Sequence, residues 1–500
     1  MRRVIGSIVL AIGTSAVATS ASAADCTGLK GLALPATSIT IAEVRPAGPY
    51  PFGDPAPTQP PNIPGETLPG FCRVVGVIEP AIGFEVWMPL EGWNGKFQGI
   101  GNHRFAGEVP QSDMAMELAR GYAVAGTDTG HVGEMPNWMR DKQKLIDYGY
   151  RGIHEMTEKA KDIVKAFYGE GPRFSYFNGC STGGKQGLTE AQRYPSDYHG
   201  ILVGDPNNSQ SGNRAQYVWM AQVTFAKPET TIPASKLPLL HAAAMNACDA
   251  ADGLKDGVIA NPLACRFDPE VLQCKPDDIK SACFSPAQVS AIKKVYEGPR
   301  NPRTGESIYP GLAIGSELSW GAFVGGPRLF PTATQFFGNI VFGDPNWDYR
   351  TFDFDKGLAA VNDKAAAIVD AVDPDLSAFR KAGGKILHTH GWADVNHTPL
   401  YAVEYYENVR KTMGEDEAAS FYRLFLQPAG PGCGGRYDAL PALEKWVESG
   451  IAPETIVAPT AIKADQGAAT QRTRPMCPYP KVARWTGAGS SDDAASFSCQ

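Results

Sequence analysis

The sequence lacks any run of basic residues, and its formal net charge is −7. A protein without a basic patch has no electrostatic footprint for a phosphate backbone, so we exclude DNA and RNA as partners. Cysteine pairs at zinc-finger spacing, internal repeats and low-complexity tracts are also missing. What remains is an ordinary globular balance, with 20% charged and 43% apolar residues in 500, enough to bury a large core.

Beyond the N-terminus, no segment is long and apolar enough to span a bilayer. At the N-terminus, Arg2 and Arg3 precede a mostly apolar stretch, and a small-residue cleavage pattern ends at Ala23. This order is typical of a secretory signal peptide, which we place at residues 1–23. We therefore expect a secreted or periplasmic protein that has no membrane contact after cleavage.

Ten cysteines in an exported chain predict disulfides. The spacing suggests four pairs: Cys26 with Cys72, Cys248 with Cys265, Cys274 with Cys283, and Cys477 with Cys499. Two cysteines far apart in the sequence, Cys180 and Cys433, are then left over. Spacing alone leaves the connectivity open.

Short β-rich runs alternate with helical stretches in two parts of the chain. The first part includes a helix over 152–168, whose apolar residues share one face, and a strand over 173–178. The pattern returns after residue 375, with a strand over 385–390 and a helix over 401–412. Strands that alternate with helices predict a mostly parallel α/β sheet.

Residues 209–375 break this alternation, because they carry four cysteines, many prolines and glycines, and several aromatic residues. The aromatic residues are Trp320, Phe323, Phe330, Phe336, Phe337 and Trp347. We interpret 209–375 as a lid domain inserted over the sheet. The domain that carries the sheet then consists of residues 24–208 and 376–500.

A glycine-flanked serine, Gly179-x-Ser181-x-Gly183, lies between a predicted strand and a predicted helix. This is the nucleophile-elbow pattern of the α/β-hydrolase fold, in which a sharp turn holds the serine at the edge of the sheet. The backbone N–H of Thr182 would form half of an oxyanion hole, where one donor is often worth about 10²–10³ in rate. We therefore predict Ser181 as a nucleophile.

The stretches GCSTGGKQGL at 179–188 and AQRYP at 191–195 resemble the tannase and feruloyl esterase family, which also includes hydrolases of mono(2-hydroxyethyl) terephthalate. HGWAD at 390–394, RPMCPYP at 474–480 and DDAASFSC at 492–499 are similar to the family as well. The resemblance covers nearly the whole mature chain. It implies an α/β-hydrolase fold with a large inserted lid, and hydrolysis of aromatic carboxylic esters.

The resemblance also implies a disulfide between Cys180 and Cys433, and it implies that Asp394 is the acid that orients a catalytic imidazole. It further implies a structural calcium ion in the lid. The ligands would be the carboxylates of Asp249, Asp252 and Asp256 and the backbone carbonyls of Leu254 and Val258.

Two departures from the family fall at the predicted site. Gly432 stands at the position of the family's histidine, and losing a triad member typically removes about 10⁴–10⁶ of the rate. Residues 99–107 resemble the family's glycine-rich oxyanion loop, but His103 and Arg104 stand there where glycines are usual. We call this segment the predicted oxyanion loop. His103 and His397 are the candidates for a replacement base, whereas His390 resembles scaffold. We infer that the site is remodelled and not merely damaged, and added imidazole would test for an open space at Gly432.

Three functions follow. The first is an esterase for aromatic carboxylic esters that uses another base, with the lid aromatics as a stacking pocket. The second is altered chemistry, in which His103 and Arg104 act on a different bond and Arg104 holds a substrate carboxylate or a developing anion. The third is a non-catalytic protein that binds aromatic ligands.

Overall fold

The computed structural model describes residues 25–49, 67–133, 136–225, 227–276, 279–324, 331–433, 437–460 and 472–500. The predicted signal peptide lies outside these residues. Within them, no helix is both long enough and apolar enough to cross a membrane.

Nine strands form one central sheet. They are β1 (Thr37–Arg45), β2 (Phe71–Ile78), β3 (Ile82–Pro89), β4 (Lys96–Ile100), β5 (Ala123–Thr127), β6 (Phe174–Cys180), β7 (Gly200–Gly204), β8 (Lys385–Gly391) and β9 (Tyr422–Gln427). Their order in space is β1-β2-β3-β5-β4-β6-β7-β8-β9. The first three strands pair antiparallel, and every pair from β5 to β9 is parallel. This confirms the predicted α/β-hydrolase fold.

Helices pack on both faces of the sheet, and further helices build the inserted segment. The helices before the insertion are α1 (Gln111–Ala119), α2 (Lys142–Ile146), α3 (Gly152–Tyr168) and α4 (Thr182–Arg193). Those of the insertion are α5 (Gln210–Phe225), α6 (Leu237–Cys248), α7 (Pro286–Glu297), α8 (Gly321–Val324), α9 (Pro331–Phe336), α10 (Lys356–Val361) and α11 (Ala367–Val369). The last four are α12 (Ser377–Lys381), α13 (Pro399–Met413), α14 (Glu415–Phe421) and α15 (Leu440–Ser449).

Two apolar cores lie on opposite faces of the sheet because successive side chains of a strand point to opposite sides. In β5, Ala123 and Ala125 join the core that contains α3, while Val124 joins the core that contains α1 and α15. Helix α3 has the bounds predicted from its apolar spacing and ends at Gly169, whose φ of 81° is easy for glycine.

Four of the six lid aromatics do not line the open stacking pocket that the sequence predicted. Trp320, Phe323, Phe336 and Phe337 are all at most 5% exposed, and they belong to a separate apolar core built mainly from the insertion. Trp347 is partly exposed and packs against the same core. A segment of this length needs a core of its own, which uses these rings. Phe330 lies outside the residues that the structure describes.

The ten cysteines form the five predicted disulfides. The pairs are Cys26–Cys72, Cys180–Cys433, Cys248–Cys265, Cys274–Cys283 and Cys477–Cys499. The pair between Cys180 and Cys433 spans 253 residues and joins the end of β6 to the chain that follows β9. It therefore holds the loop that carries Gly432 against the turn that carries Ser181.

Candidate active site

Ser181 lies in a sharp turn between β6 and α4. Its φ of 61° and ψ of −115° are rare for a residue with a side chain, and such strained backbone persists only where its surroundings hold it. The turn requires small flanking residues, because a Cβ on Gly179 would lie 2.5 Å from the carbonyl carbon of Gly183. Ser181 is partly exposed. The turn therefore has the geometry of a nucleophile elbow.

The chain after β7 runs beside Ser181. The backbone N–H of Ser181 donates to the carbonyl of Gly204 (2.9 Å), and the N–H of Asn207 donates to the carbonyl of Ser181 (3.1 Å). Both contacts lie at the carboxyl edge of the parallel strands. This is the edge at which open α/β sheets bind their ligands.

The predicted oxyanion loop packs against the start of α4. A Cβ on Gly101 would lie 2.6 Å from the Cα of Gly183, and the hydroxyl of Thr182 donates to the carbonyl of Arg104. Arg104 has a φ of 49°, a conformation that glycine adopts more easily than other residues. The structure therefore brings Thr182 and Arg104 together, and the loop keeps a glycine-like path while it carries side chains.

His103 points into solvent, and its imidazole contacts the carboxylate of Asp113. Its side chain is 53% exposed, and its Nε2 lies 2.9 Å from Oδ2 of Asp113. The hydrogen bond to Asp113 raises the pKa of His103 above its ordinary value, although burial opposes the shift. A histidine that favours its protonated form is a poor acceptor for a serine proton.

Asp394 follows β8 and is only 2% exposed. Its Oδ1 accepts hydrogen bonds from the backbone N–H groups of Asn396 (2.8 Å) and His397 (3.2 Å). Its Oδ2 is buried and has no hydrogen-bond partner among the residues described. Burial by itself would raise the pKa of Asp394, but His390 and His397 outweigh it and hold the pKa well below its usual range. The carboxylate is therefore ionised.

Gly432 lies directly against this carboxylate. A Cβ on Gly432 would be 2.8 Å from Oδ2 of Asp394 and 2.9 Å from its Cγ. The neighbouring backbone is held in place as well, since the N–H of Ala393 donates to the carbonyl of Gly430 (2.8 Å). The carboxylate of Asp394 therefore takes the space in which a histidine side chain would begin. The structure therefore shows no open space for a side chain at Gly432. This close packing agrees with a remodelled site.

His390 is part of the site, although the sequence analysis treated it as scaffold. Its Nε2–H donates to the carbonyl of His397 (2.6 Å) and lies 3.5 Å from Oδ2 of Asp394 and 3.7 Å from Oδ1 of Asp205. Burial lowers the pKa of His390, but the two carboxylates outweigh it and raise the pKa. His390 is fully buried, so we regard it as a positioning residue.

Asp205 was missed by the sequence analysis. It is the first residue after β7, it is 3% exposed, and burial raises its pKa to about 7 despite the neighbouring His390. Its Oδ1 accepts a hydrogen bond from the N–H of Gly391 (2.8 Å). The available signal was its place at the carboxyl end of a strand beside the one that carries Ser181, where ligands bind in such sheets.

His397 is the second histidine beside the acid. Its Nδ1 lies 3.7 Å from Oδ2 of Asp394, and 10% of its side chain is exposed, compared with 1% for His390. Burial lowers the pKa of His397, although Asp394 opposes the shift. A lowered pKa leaves the ring neutral near pH 7. Of these two histidines, His397 is therefore the one that solvent reaches and that can accept a proton.

Arg214, on helix α5, is another residue that the sequence analysis missed. It is 4% exposed, and its Nη1 donates to the side-chain oxygen of Asn213. Its guanidinium carbon lies 5.7 Å from the ring centroid of Phe105 and 5.3 Å from that of Tyr217. Phe105 belongs to the predicted oxyanion loop, so Arg214 lies at the border of the site.

The predicted calcium loop is a tight acidic turn in the lid. Oδ1 of Asp249 accepts backbone hydrogen bonds from Asp256 (3.2 Å) and Val258 (3.2 Å), and Oδ1 of Asp252 accepts one from Leu254 (3.0 Å). Burial raises the pKa of Asp252, and the negative charges of Asp256 and Asp249 add to the shift. The loop thus holds three carboxylates that repel one another.

The chain resembles known proteins over nearly its whole length. Residues 67–500 match the family described as tannase and feruloyl esterase. An uncharacterized esterase of Xanthomonas campestris is 37% identical over an alignment of 553 positions, gaps included. The alignment covers 99% of this chain and 94% of that protein. The probable feruloyl esterase B-1 of Aspergillus terreus is 32% identical over an alignment of 461 positions, which covers 86% of each protein. The crystal structure of feruloyl esterase B from Aspergillus oryzae superposes with a TM-score of 0.85 at 28% identity, covering 95% of this chain and 99% of that one.

Proposed function

The chain belongs to the tannase and feruloyl esterase family and is a carboxylic ester hydrolase, and we propose that it cleaves esters of aromatic carboxylic acids with Ser181 as nucleophile and His397 as general base. The names of the relatives, several of them feruloyl esterases, support an aromatic acyl group. The position of His397 carries the choice of base, because its ring lies against the ionised Asp394 and is reachable from solvent.

In the proposed reaction, the Ser181 hydroxyl attacks the ester carbonyl and its proton passes to His397. Asp394 stabilises the imidazolium that forms, as an acid does in a serine triad. The developing oxyanion accepts hydrogen bonds from the backbone N–H of Thr182 and from the loop at Arg104, and the N-terminus of α4 favours its negative charge. His397 then protonates the leaving alcohol, and water hydrolyses the acyl-enzyme by the same steps in reverse.

The alternative chemistry through His103 has less support. His103 is engaged by Asp113, and its pKa is raised, which opposes a role as base. A purely binding function has less support too, because Ser181 keeps the strained backbone of a nucleophile elbow.

The test combines labelling with matched variants. The purified mature chain is treated with a serine-directed phosphonate and assayed with aryl esters. We expect label on Ser181, and a loss of about 10⁴–10⁶ in kcat for His397→Gln, as when a triad histidine is removed. His199→Gln is the control, since His199 contacts the N–H of Ser175 near the start of β6, the opposite end of that strand from Ser181. A larger loss for His103→Gln than for His397→Gln would assign the base to His103.

We also propose that the protein is exported. The signal-like N-terminus and five disulfides support this, because disulfides persist in oxidising compartments. N-terminal sequencing of the protein from a bacterial host should give a chain that starts near Ala24 in the periplasm or medium. A full-length chain found only in the cytoplasm would contradict the proposal.

The acidic loop of the lid is proposed to bind calcium. Three carboxylates supply three negative charges, and Arg474 pairs with Asp256, so the net charge of about −2 matches one divalent cation. The loop lies far from Ser181 in sequence, and the role is structural. A chelator should lower the thermal midpoint and added calcium should restore it, whereas Asp252→Asn should abolish the response. An unchanged midpoint in chelator would contradict the site.

A further inference from the structure

We propose that Arg214 forms an anion subsite at Phe105 of the predicted oxyanion loop and that this subsite binds a free carboxylate of the substrate. The preferred substrates would then be aromatic esters that carry a carboxylate elsewhere in the molecule, on the acid part or on the alcohol part. This inference rests on the proposed function, since it names the substrates of the same site.

The charge of Arg214 has no counter-ion in the described parts of the chain. The side chain is 4% exposed, and no carboxylate lies within ion-pair distance of it there. Its Nε is buried without a hydrogen-bond acceptor, and its polar partners, the amide of Asn213 and the hydroxyl of Tyr217, are both neutral. Buried charges are ordinarily paired, because removing an ion from water is costly. An unpaired buried guanidinium therefore indicates a missing anion.

The immediate neighbours of Arg214 are neutral. The rings of Phe105 and Tyr217 lie under or beside the guanidinium at 5.7 and 5.3 Å, a favourable contact for a cation but a weaker one than a carboxylate provides. Asp394, the ionised acid, is engaged with His390 and His397 instead. The protein thus holds the arginine in place by ring contacts and leaves its charge uncompensated.

Arg214 lies between the two halves of the site. On one side is Phe105 of the oxyanion loop. On the other side, Asn213 and Tyr217, from the same helix, both donate to the carbonyl of Asn396 (2.8 and 2.6 Å), the residue before His397. The positive charge of Arg214 also contributes to the lowered pKa of His397. A carboxylate on Arg214 would therefore hold an ester close to both the oxyanion loop and the proposed base.

The chemistry of the side chain selects the ligand. A guanidinium is planar, always charged, and presents paired N–H groups that match the two oxygens of a carboxylate. A neutral amide or ester group supplies an acceptor but no charge. We therefore expect discrimination between a carboxylate and an uncharged group of the same shape.

The experiment compares two isosteric substrate pairs. Monoethyl terephthalate and ethyl 4-carbamoylbenzoate place the carboxylate or amide on the acid part, and benzoyloxyacetate and benzoyloxyacetamide place it on the alcohol part. In the wild-type enzyme, we expect kcat/KM to favour the carboxylate by roughly 10- to 100-fold in at least one pair, as for a hydrogen bond to a charged group. The pair that shows the preference identifies which part of the ester reaches Arg214.

Variants assign the preference to Arg214. Arg214→Gln should reduce the carboxylate-to-amide ratio to about 1, mainly through KM, and Arg214→Lys should keep part of it because a point charge remains. Arg303→Gln removes the same charge from the lid surface, where Arg303 is 70% exposed, and should keep the wild-type ratio. A wild-type ratio at or below 1 in both pairs overturns the subsite. An equal fall in kcat for carboxylate and amide esters in Arg214→Gln also overturns it, because the arginine would then act on the developing oxyanion.

Failure of the proposed function has a different signature. In that case no ester of either pair is hydrolysed and Ser181 is not labelled. Calorimetry with benzoate and benzamide then decides, because the subsite requires benzoate to bind the wild-type protein more tightly than benzamide does, and Arg214→Gln to remove the difference. Equal or absent binding of the two overturns the proposal without reference to turnover.

Discussion

Placing a side chain on Gly432 tests whether the site has been remodelled around a glycine. A methyl group there would lie 2.8 Å from Oδ2 of Asp394, 2.9 Å from its Cγ and 3.1 Å from its Oδ1. Ordinary contacts of a Cβ begin near 3.4 Å. The methyl group must therefore push the carboxylate or the loop away by about half an ångström, well inside the repulsive range for packed atoms.

Neither partner can move freely. The carboxylate is 2% exposed and accepts two backbone hydrogen bonds, and the loop is held by the bond from Ala393 to Gly430 and by the disulfide of Cys433. Overpacking of this kind typically costs about 1–3 kcal/mol. The φ of Gly432 lies outside the left-handed region, so backbone strain adds nothing to this figure.

The assay is urea unfolding of Gly432→Ala followed by tryptophan fluorescence. We expect a lower midpoint at an unchanged slope, which is the sign of a stability change. Gly171→Ala is the control, because an added Cβ there meets nothing within 4 Å, and such surface changes usually stay within about 0.5 kcal/mol. Gly432→His, which restores the residue type of the family, should be destabilised as well and gain no ester turnover.

One pattern of results would contradict a site remodelled around Gly432. If Gly432→Ala unfolds at the parent midpoint and Gly432→His raises turnover of aryl esters by about 100-fold, a size typical of restoring one catalytic group, an imidazole fits beside Asp394 after all. The site would then be a damaged triad, and His397 would not be needed as base.

Two further predictions concern the base and the disulfide. Burial and the charge of Arg214 lower the pKa of His397 against the opposing charge of Asp394, and a base acts only when neutral, so kcat/KM should persist below pH 6.5 and fall as the pH drops through the folded pKa. An acid limb at or above 6.5 in the pH profile would point to another base, such as one with a raised pKa. The double variant Cys180→Ala/Cys433→Ala opens a loop of 253 residues and should lose about 5 kcal/mol in denaturant unfolding, compared with about 3 kcal/mol for the pair nine residues apart in the lid. Equal losses would show that loop entropy does not govern these disulfides.

Local sequence patterns predicted much of the fold. The bounds of α3 follow from apolar residues at helical spacing, and the elbow at Ser181 follows from glycines that a sharp strand-to-helix turn requires. Local patterns do not predict the role of the lid aromatics, because an aromatic residue gives the same sequence pattern whether it lines a pocket or fills a core. Burial decides between these roles, and burial depends on residues far away in the chain.

The sequence by itself determined the class of sheet and the sharp turn at Ser181, because each leaves a short local pattern. It also suggested four of the five disulfides from cysteine spacing, and the family resemblance implied the fifth. Only the tertiary structure decided the rest of the site. The contact of Gly432 with Asp394, the access of solvent to His397 and the isolation of the Arg214 charge all join segments that are distant in sequence. Parallel strands bring those segments to one edge of the sheet, and the pKa, exposure and pairing of each group are set there by its neighbours in space.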